Sequence, residues 1–228
     1  MAAGALASDL NLAVDGAQHF PAAALGALQE IGTAIAELPT NQAGVRIHGN
    51  LALSAMLGPR GTIGRVAHGL LARPCLAARA ILFDKTASTN WSLAWHQDRT
   101  ICVKQRREVD GYGPWTIKRG MNHVAPPYEL LSRMVTLRVH LDDVPAENSP
   151  LLIAPGSHLA GAVPVEDYAV VVQQFGSFAC LAKAGDIWAY ATPILHASEA
   201  TAMAGHRRVL QIDYSADDLP GGLDWLGI

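Results

Sequence analysis

Cysteine is scarce in this chain and does not pair. Only Cys75, Cys102 and Cys180 occur, an odd count with none of the short spacings that hold structural zinc. A disulfide framework is therefore not expected, and free thiols in a reducing compartment are. Excess charge of one sign is missing too. Lys and Arg total 17 against 20 for Asp and Glu, a net charge of −3, so no basic face is available to a nucleic-acid backbone. Lys104, Gln105, Arg106 and Arg107 form the one tight basic cluster, which a solvated strand end explains. No apolar run approaches the roughly 20 residues of a membrane span. Residues 1–14 lack a basic leader and carry Asp9, which does not read as a signal peptide. No internal repeat or low-complexity tract is visible. A soluble, cytoplasmic protein is expected, with neither nucleic acid nor membrane as partner.

What the chain does have is apolar content and rhythm. Half of its 228 residues are hydrophobic, enough for one domain, 1–228, with a substantial core. Up to about residue 78 the texture is helical. Pro21 starts a pattern in which Leu25, Leu28, Ile31, Ile35 and Leu38 recur every three to four residues, and Pro39 ends it. Asn50 is placed to cap a short helix that Gly58 and Pro59 stop. A third helix is expected over 62–71. Between them, Arg46 and His48 fall on a short strand and carry no assigned chemistry.

After residue 78 the pattern changes to short strands separated by turn residues. Expected strands are 79–83, 92–98, 101–105, 134–141, 151–154, 178–181, 186–190, 196–200 and 207–214. The clearest alternates Val135, Leu137, Val139 and Leu141 with Thr136, Arg138 and His140. Strands of this number and length fit a mainly β, cupin-like jelly-roll core over about 79–215, with the N-terminal helices covering one sheet. One long connection, 108–132, interrupts them. Connections of that length are commonly functional, so it is expected to form a lid, with Trp115, Lys118 and His123 as its ligand-contacting side chains.

The chemistry concentrates at Trp95-His96-Gln97-Asp98. On a strand, His96 and Asp98 point the same way, and a further imidazole from His196 makes two histidines and one carboxylate. That set is the facial triad of non-haem iron oxygenases, which leaves positions open for co-substrate and oxygen. His-x-Asp alone equally describes a strand facing solvent. The order of the downstream motifs adds weight: Leu141-Asp142-Asp143, then Pro155-Gly156-Ser157-His158, Gly185-Asp186, His196-Ala197-Ser198 and Arg207.

In that ordered set the chain resembles the phytanoyl-CoA dioxygenase family of Fe(II)- and 2-oxoglutarate-dependent oxygenases, over roughly its last two thirds. The resemblance implies a double-stranded β-helix with Fe(II) on His96, Asp98 and His196. It also implies that 2-oxoglutarate chelates the iron and that its far carboxylate lies on the arginine eleven residues after the second histidine, Arg207. A guanidinium suits this, since it meets a carboxylate with two parallel hydrogen bonds. Ser198 shares the face of His196 and could bond the same carboxylate; Lys85 is a further candidate. Arg208 is the competitor to Arg207, but alternation sends it to the opposite face. His158 and Asp186 read as turn residues, and His19, His48, His68, His140 and His206 are given no role.

The expected activity is hydroxylation of a small organic metabolite by O2, with 2-oxoglutarate split to succinate and carbon dioxide. Asp98 disfavours halogenation, which in related enzymes needs a small residue there, while desaturation and ring closure stay open. The alternative is a cupin-like metal-binding protein or isomerase that does not use 2-oxoglutarate, and such a protein has no need of Arg207.

Overall fold

The computed structural model describes residues 10–201 and 205–228. The first nine residues of the expected helical stretch, Asp9 among them, lie outside the described residues. α1 (Leu12–Asp15) is a single turn capped by the Asn11 side chain. α2 (Leu28–Ile35) is shorter than its apolar repeat. The chain first turns at Ala22, at φ 54°, where Asp186 accepts the Ala22 amide at 2.8 Å, and a 3-10 turn at Leu25–Ala27 follows. Helical geometry begins only beyond that anchor. α3 (Leu51–Leu57) starts at Asn50, which accepts the Leu53 amide, and α4 (Thr62–Leu71) has the expected bounds. Two further helices, α5 (Tyr128–Ser132) and α6 (Tyr168–Phe175), go beyond the expected set. The first is too short to show a helical period. The second contains Val170, Val171 and Val172, a β-branched run that imitates a strand.

In chain order the first strands are β1 (Ala17–Phe20), β2 (Gly44–Ile47), β3 (Leu76–Lys85), β4 (Leu93–His96), β5 (Ile101–Val103), β6 (Trp115–Lys118) and β7 (Met121–Val124). Then come β8 (Val135–His140), β9 (Leu151–Ile153), β10 (Phe178–Cys180), β11 (Ile187–Ala191), β12 (His196–Ser198) and β13 (Arg207–Ser215). They form a major sheet in the order β1-β11-β8-β13-β3-β2, a minor sheet β10-β9-β12-β4 and a small sheet β5-β7-β6. All pairs are antiparallel. The connection 108–132 is therefore not a structureless loop. It holds the β6–β7 hairpin, pairing onto β5, and then α5. Thr116 and Asn122 in its strands, and the Arg119-Gly120 turn at positive φ, break the apolar alternation by which a strand is recognised.

The two faces of the major sheet are chemically opposite. Ile47, Ala80, Leu82, Val135, Leu137, Val139, Ile187, Ala189, Leu210 and Ile212 form one core with Ile31, Leu53, Leu57 and Ile63 of the helices. Period-two alternation sends Arg46, Arg79, Lys85, Thr136, Arg138, His140, Arg207, Gln211 and Asp213 to the other face. Most of these are buried rather than solvated. That face looks onto the minor sheet, whose Leu151, Ile153 and Cys180 pack with Trp188 and Tyr190 at one end. The result is a jelly-roll closed by apolar packing at one end and polar at the other.

The α3–α4 turn that seals the helical layer depends on glycine. A Cβ on Gly64 would stand 1.9 Å from the Gly58 carbonyl oxygen, whereas one on Gly69 of the same helix would meet nothing within 4 Å. Gly64→Ala is expected to destabilise by about 1–3 kcal/mol. Gly69→Ala should stabilise by up to ~1 kcal/mol through helix propensity. Calorimetric melting of both variants tests this, and equal Tm values would contradict the close approach.

Candidate metal centre

β4 and β12 are neighbours in the minor sheet, with His96 directly opposite His196 and ring centroids 4.1 Å apart. β4 ends at His96, so Asp98 lies just past the strand rather than within it, yet it keeps the same side. Gln97 explains why. It is buried on the other side, where its amide donates to the carbonyls of Pro193 (2.8 Å) and Gly161 (3.0 Å) and accepts from the Val163 amide (3.0 Å). With Gln97 locked outward, its neighbours are turned inward. One ligand atom from each of His96, Asp98 and His196 lies within 4.8 Å of the others, close to twice a metal–ligand bond of roughly 2.0–2.2 Å.

The donor chemistry fits a divalent metal. His96 Nδ1 lies 2.8 Å from the Ala94 carbonyl and His196 Nδ1 2.9 Å from the Ile194 carbonyl. A carbonyl only accepts, so both Nδ1 atoms carry the proton and both Nε2 atoms keep a lone pair for a metal. Burial, with His96 adding to it, pushes His196 down to about 4, so it is neutral at pH 7. Burial alone would raise the Asp98 carboxyl, but Arg79 and the two histidines outweigh it and hold it below the usual carboxylate range.

Arg79 is the hinge of the site. Its Nε donates to Asp213 at 2.5 Å and its Nη2 lies 3.4 Å from Asp98. Burial works against its charge, but Asp213 and Asp98 together raise its pKa above the ordinary value. Asp213 also accepts from the Thr136 hydroxyl at 3.0 Å, and Gln211 donates to Asp98 at 3.4 Å.

A cavity of about 450 Å³ opens over these groups. Lys85, Ser198 and Arg207 stand together in its wall. Lys85 donates to Ser198 Oγ at 2.8 Å and to the Glu199 carbonyl, and Arg207 Nη2 donates to the same Oγ at 3.3 Å. Arg207 Nη1 also reaches the Asn148 and Ser149 carbonyls, while its Nε is buried without a partner. Lys85 and Arg207 are directly opposite each other across β3 and β13. Burial, then Arg207 and Arg138, bring the Lys85 pKa down to about 7. Burial and Arg138 lower Arg207 to about 10. Arg208, as alternation required, is on the outer face, in a two-pronged pair with Asp142 at 2.7 and 3.0 Å.

Of the three side chains expected on the lid, Lys118 alone lines the cavity. Trp115 packs in a separate core beside β5 and α5, with Arg106 over its ring. His123 is fully buried, 3.0 Å from Cys102 Sγ. Hairpin register sends Trp115 to the face opposite Lys118; His123 shares the face of Lys118 but is buried against Cys102 behind the cavity wall. Asp186 is a turn residue, accepting from the Ala22 and Lys183 amides and from His19. Arg46, Arg79, Trp91, Arg138 and Gln211 line the cavity unanticipated. A signal was available for Arg138, a cation on the polar side of a strand whose other side is wholly apolar.

Two sheets with this triad between them match a known pattern along the sequence. Residues 50–209, more than half the chain, match the phytanoyl-CoA dioxygenase (PhyH) family. The chain belongs to that family. No curated protein sequence matches it at a significant level. Among solved structures it is similar to EctD from S. alaskensis with 2-oxoglutarate and 5-hydroxyectoine, at 17% identity over 95% of this chain and 77% of that one, TM-score 0.65. It is also similar to the epimerase SnoN from nogalamycin biosynthesis in complex with Fe3+, alpha ketoglutarate and nogalamycin RO (18% identity, 92% of this chain, 88% of that one, TM-score 0.59). A third likeness is to the non-heme alpha ketoglutarate dependent carbocyclase SnoK (17%, 95% and 88%, TM-score 0.61). At these identities the likeness is one of fold. The family match and these structures agree on the jelly-roll fold.

Because Arg79 is buried between two carboxylates, removing it leaves both uncompensated. Arg79→Met is expected to cost about 3–5 kcal/mol in unfolding free energy. Arg208→Met, which breaks a partly exposed pair on the outer face, should cost about 1 kcal/mol. Urea denaturation of the two variants reads the contrast, and equal losses would contradict it.

Proposed function

We propose that this protein is an Fe(II)- and 2-oxoglutarate-dependent oxygenase that hydroxylates a small organic metabolite, releasing succinate and carbon dioxide. The observation that carries the reading is the Lys85–Arg207 pair. Like charges directly opposite on neighbouring strands repel, and these two are buried with no carboxylate hydrogen-bonded to either among the described residues. A dicarboxylate that reaches from this pair to the metal cluster removes the repulsion and offers Arg207 a two-pronged partner. A metal protein without a co-substrate leaves the pair unexplained.

In this reading His96, Asp98 and His196 would hold Fe(II), a donor set of two imidazoles and one carboxylate that suits it. Iron with 2-oxoglutarate bound supplies the activation of oxygen and the oxidising equivalents. The chain's own residues bind and orient. The Ala94 and Ile194 carbonyls fix both imidazoles, while Arg79 and Gln211 hold the Asp98 carboxylate. Lys85, Ser198 and Arg207 take the far carboxylate of the co-substrate, and the hairpin carrying Lys118 covers the substrate side. Asp98 fills the position that a halide would need. Inversion and ring closure, named for SnoN and SnoK, use the same cofactor set; hydroxylation is the simplest outcome for it.

The direct assay is succinate formation from 2-oxoglutarate in the presence of iron and oxygen. Arg207→Ala is expected to weaken 2-oxoglutarate binding by about 3–5 kcal/mol, roughly two to four orders of magnitude in Kd. Arg207→Lys should recover part of the loss, and iron affinity should persist in both. Anaerobic calorimetry on the metal-loaded protein measures this. Loss of binding in Arg208→Ala instead would contradict the assignment.

Lys85 adds a pH dependence. Its lowered pKa in the empty site leaves it about half charged near pH 7, and an incoming anion draws a proton onto it. Affinity for 2-oxoglutarate should therefore fall as pH rises above about 7, by at most about tenfold per unit. Lys85→Met should flatten that slope and weaken binding at pH 6. A wild-type Kd that does not change between pH 6 and 9 would contradict it.

A further inference from the structure

The cavity holds a second concentration of positive charge, away from the Lys85–Arg207 pair. Arg46 on β2 stands opposite Ile81 of β3 and lines the cavity. Its Nε is buried with no hydrogen-bond partner. Lys118, at the end of the β6–β7 hairpin, lines the same cavity. Burial lowers the Arg46 pKa, Arg79 lowers it further and Arg119 beside Lys118 adds to both.

Other cations in the cavity wall are already engaged. Arg79 is held by Asp213 and Asp98, Arg99 by the Val163 carbonyl and Arg138 by Gln211 at 2.8 Å. Among the described residues, the one carboxylate lining the cavity is Asp98, which is committed to Arg79 and to the metal cluster. The co-substrate does not supply the missing charge. With one carboxylate on Arg207 and its 2-oxo acid end on the metal, 2-oxoglutarate has none left for Arg46. The two poles are also four residues apart along β3, about 13 Å at a rise of roughly 3.3 Å per residue. In a chain of net charge −3, a cation-lined cavity focuses attraction on anionic small molecules.

We infer that the primary substrate is itself an anion, a small organic carboxylate or phosphate, whose charged group is held by Arg46 and Lys118 while its reacting carbon faces the His96–Asp98–His196 cluster. This inference rests on the oxygenase reading and names the substrate class for it. Metal-directed selectivity then comes from the Arg46 pole, which sets how far from its charged end the substrate is presented.

The test uses the full chain loaded with Ni(II), so that no turnover occurs, in chloride-free buffer. 2-Oxoglutarate is titrated first to saturation, and then inorganic phosphate or acetate, each followed by calorimetry. One equivalent of further anion should bind the wild type, and the tighter of the two probes names phosphate or carboxylate as the recognised group. Arg46→Ala and Arg46→Met should weaken that second event by about tenfold to hundredfold, the scale of one partly buried charge pair. Arg46→Lys should regain part of it. The Kd for 2-oxoglutarate in Arg46→Met should stay within about threefold of wild type, which separates a lost anion site from a misfolded cavity. Unchanged anion binding in both Arg46 variants, or no second anion on a protein saturated with 2-oxoglutarate, overturns the substrate inference alone. Failure of the first titration overturns the oxygenase reading and this inference with it.

Discussion

The buried guanidinium of Arg79 ties the fold to the chemistry. It joins β3 to β13 through Asp213 and reaches across to Asp98, just past β4 of the minor sheet. Leaving a buried charge without its partner is costly, so closing the two sheets to bring Asp98 within reach of Arg79 is favoured. Closure in turn places Asp98 beside the two histidines. The metal cluster is thus a consequence of satisfying one cation, and the strain of burying charge is spread over Thr136, Gln211 and the ligand carboxylate. The same residue holds Asp98 ionised, which is the state a metal needs.

Alternation along the major sheet does the rest. One side is continuous with the helices and carries the hydrophobic stability. The other gathers Arg46, Arg79, Lys85, Arg138 and Arg207 around the cavity, where Arg79 is paired with Asp213 and Asp98, while Arg138 and Arg207 donate to neutral acceptors. The Lys85–Arg207 pair and Arg46 are two concentrations of buried positive charge on one surface, the first proposed to take the far carboxylate of a 2-oxo diacid and the second the charged group of an anionic substrate.

The triad was legible because its residues are rare, polar and ordered, and because His96 and Asp98 share strand parity. The opposite facing of Arg207 and Arg208 was legible for the same reason: Arg207 lines the cavity and Arg208 pairs with Asp142 on the outer face. β8, β11 and β13 lie within a residue of the bounds that apolar alternation marks, while β3 runs beyond 79–83 at both ends. The short strands β5, β9, β10 and β12 were legible too, but β1, β6 and β7 were not. β6 and β7 carry Thr116, Lys118 and Asn122, and their pairing onto β5 is a long-range fact with no local signature. That omission misplaced Trp115, whose direction depends on hairpin register, and His123, which pairing onto β5 buries against Cys102. Arg46 was seen as a strand residue without chemistry, because its meaning lies in what β2 faces across the barrel.

The most direct measurement is spectroscopic. Fe(II) chelated by a 2-oxo acid shows a visible metal-to-ligand charge-transfer absorption that neither partner has alone. Purified apoprotein, titrated anaerobically with Fe(II) and then with 2-oxoglutarate, should develop that absorption to saturation at one iron and one 2-oxoglutarate per chain, and His196→Ala should develop none. Stoichiometric iron binding with no such absorption at any 2-oxoglutarate concentration would contradict the account and leave a metal protein without a co-substrate.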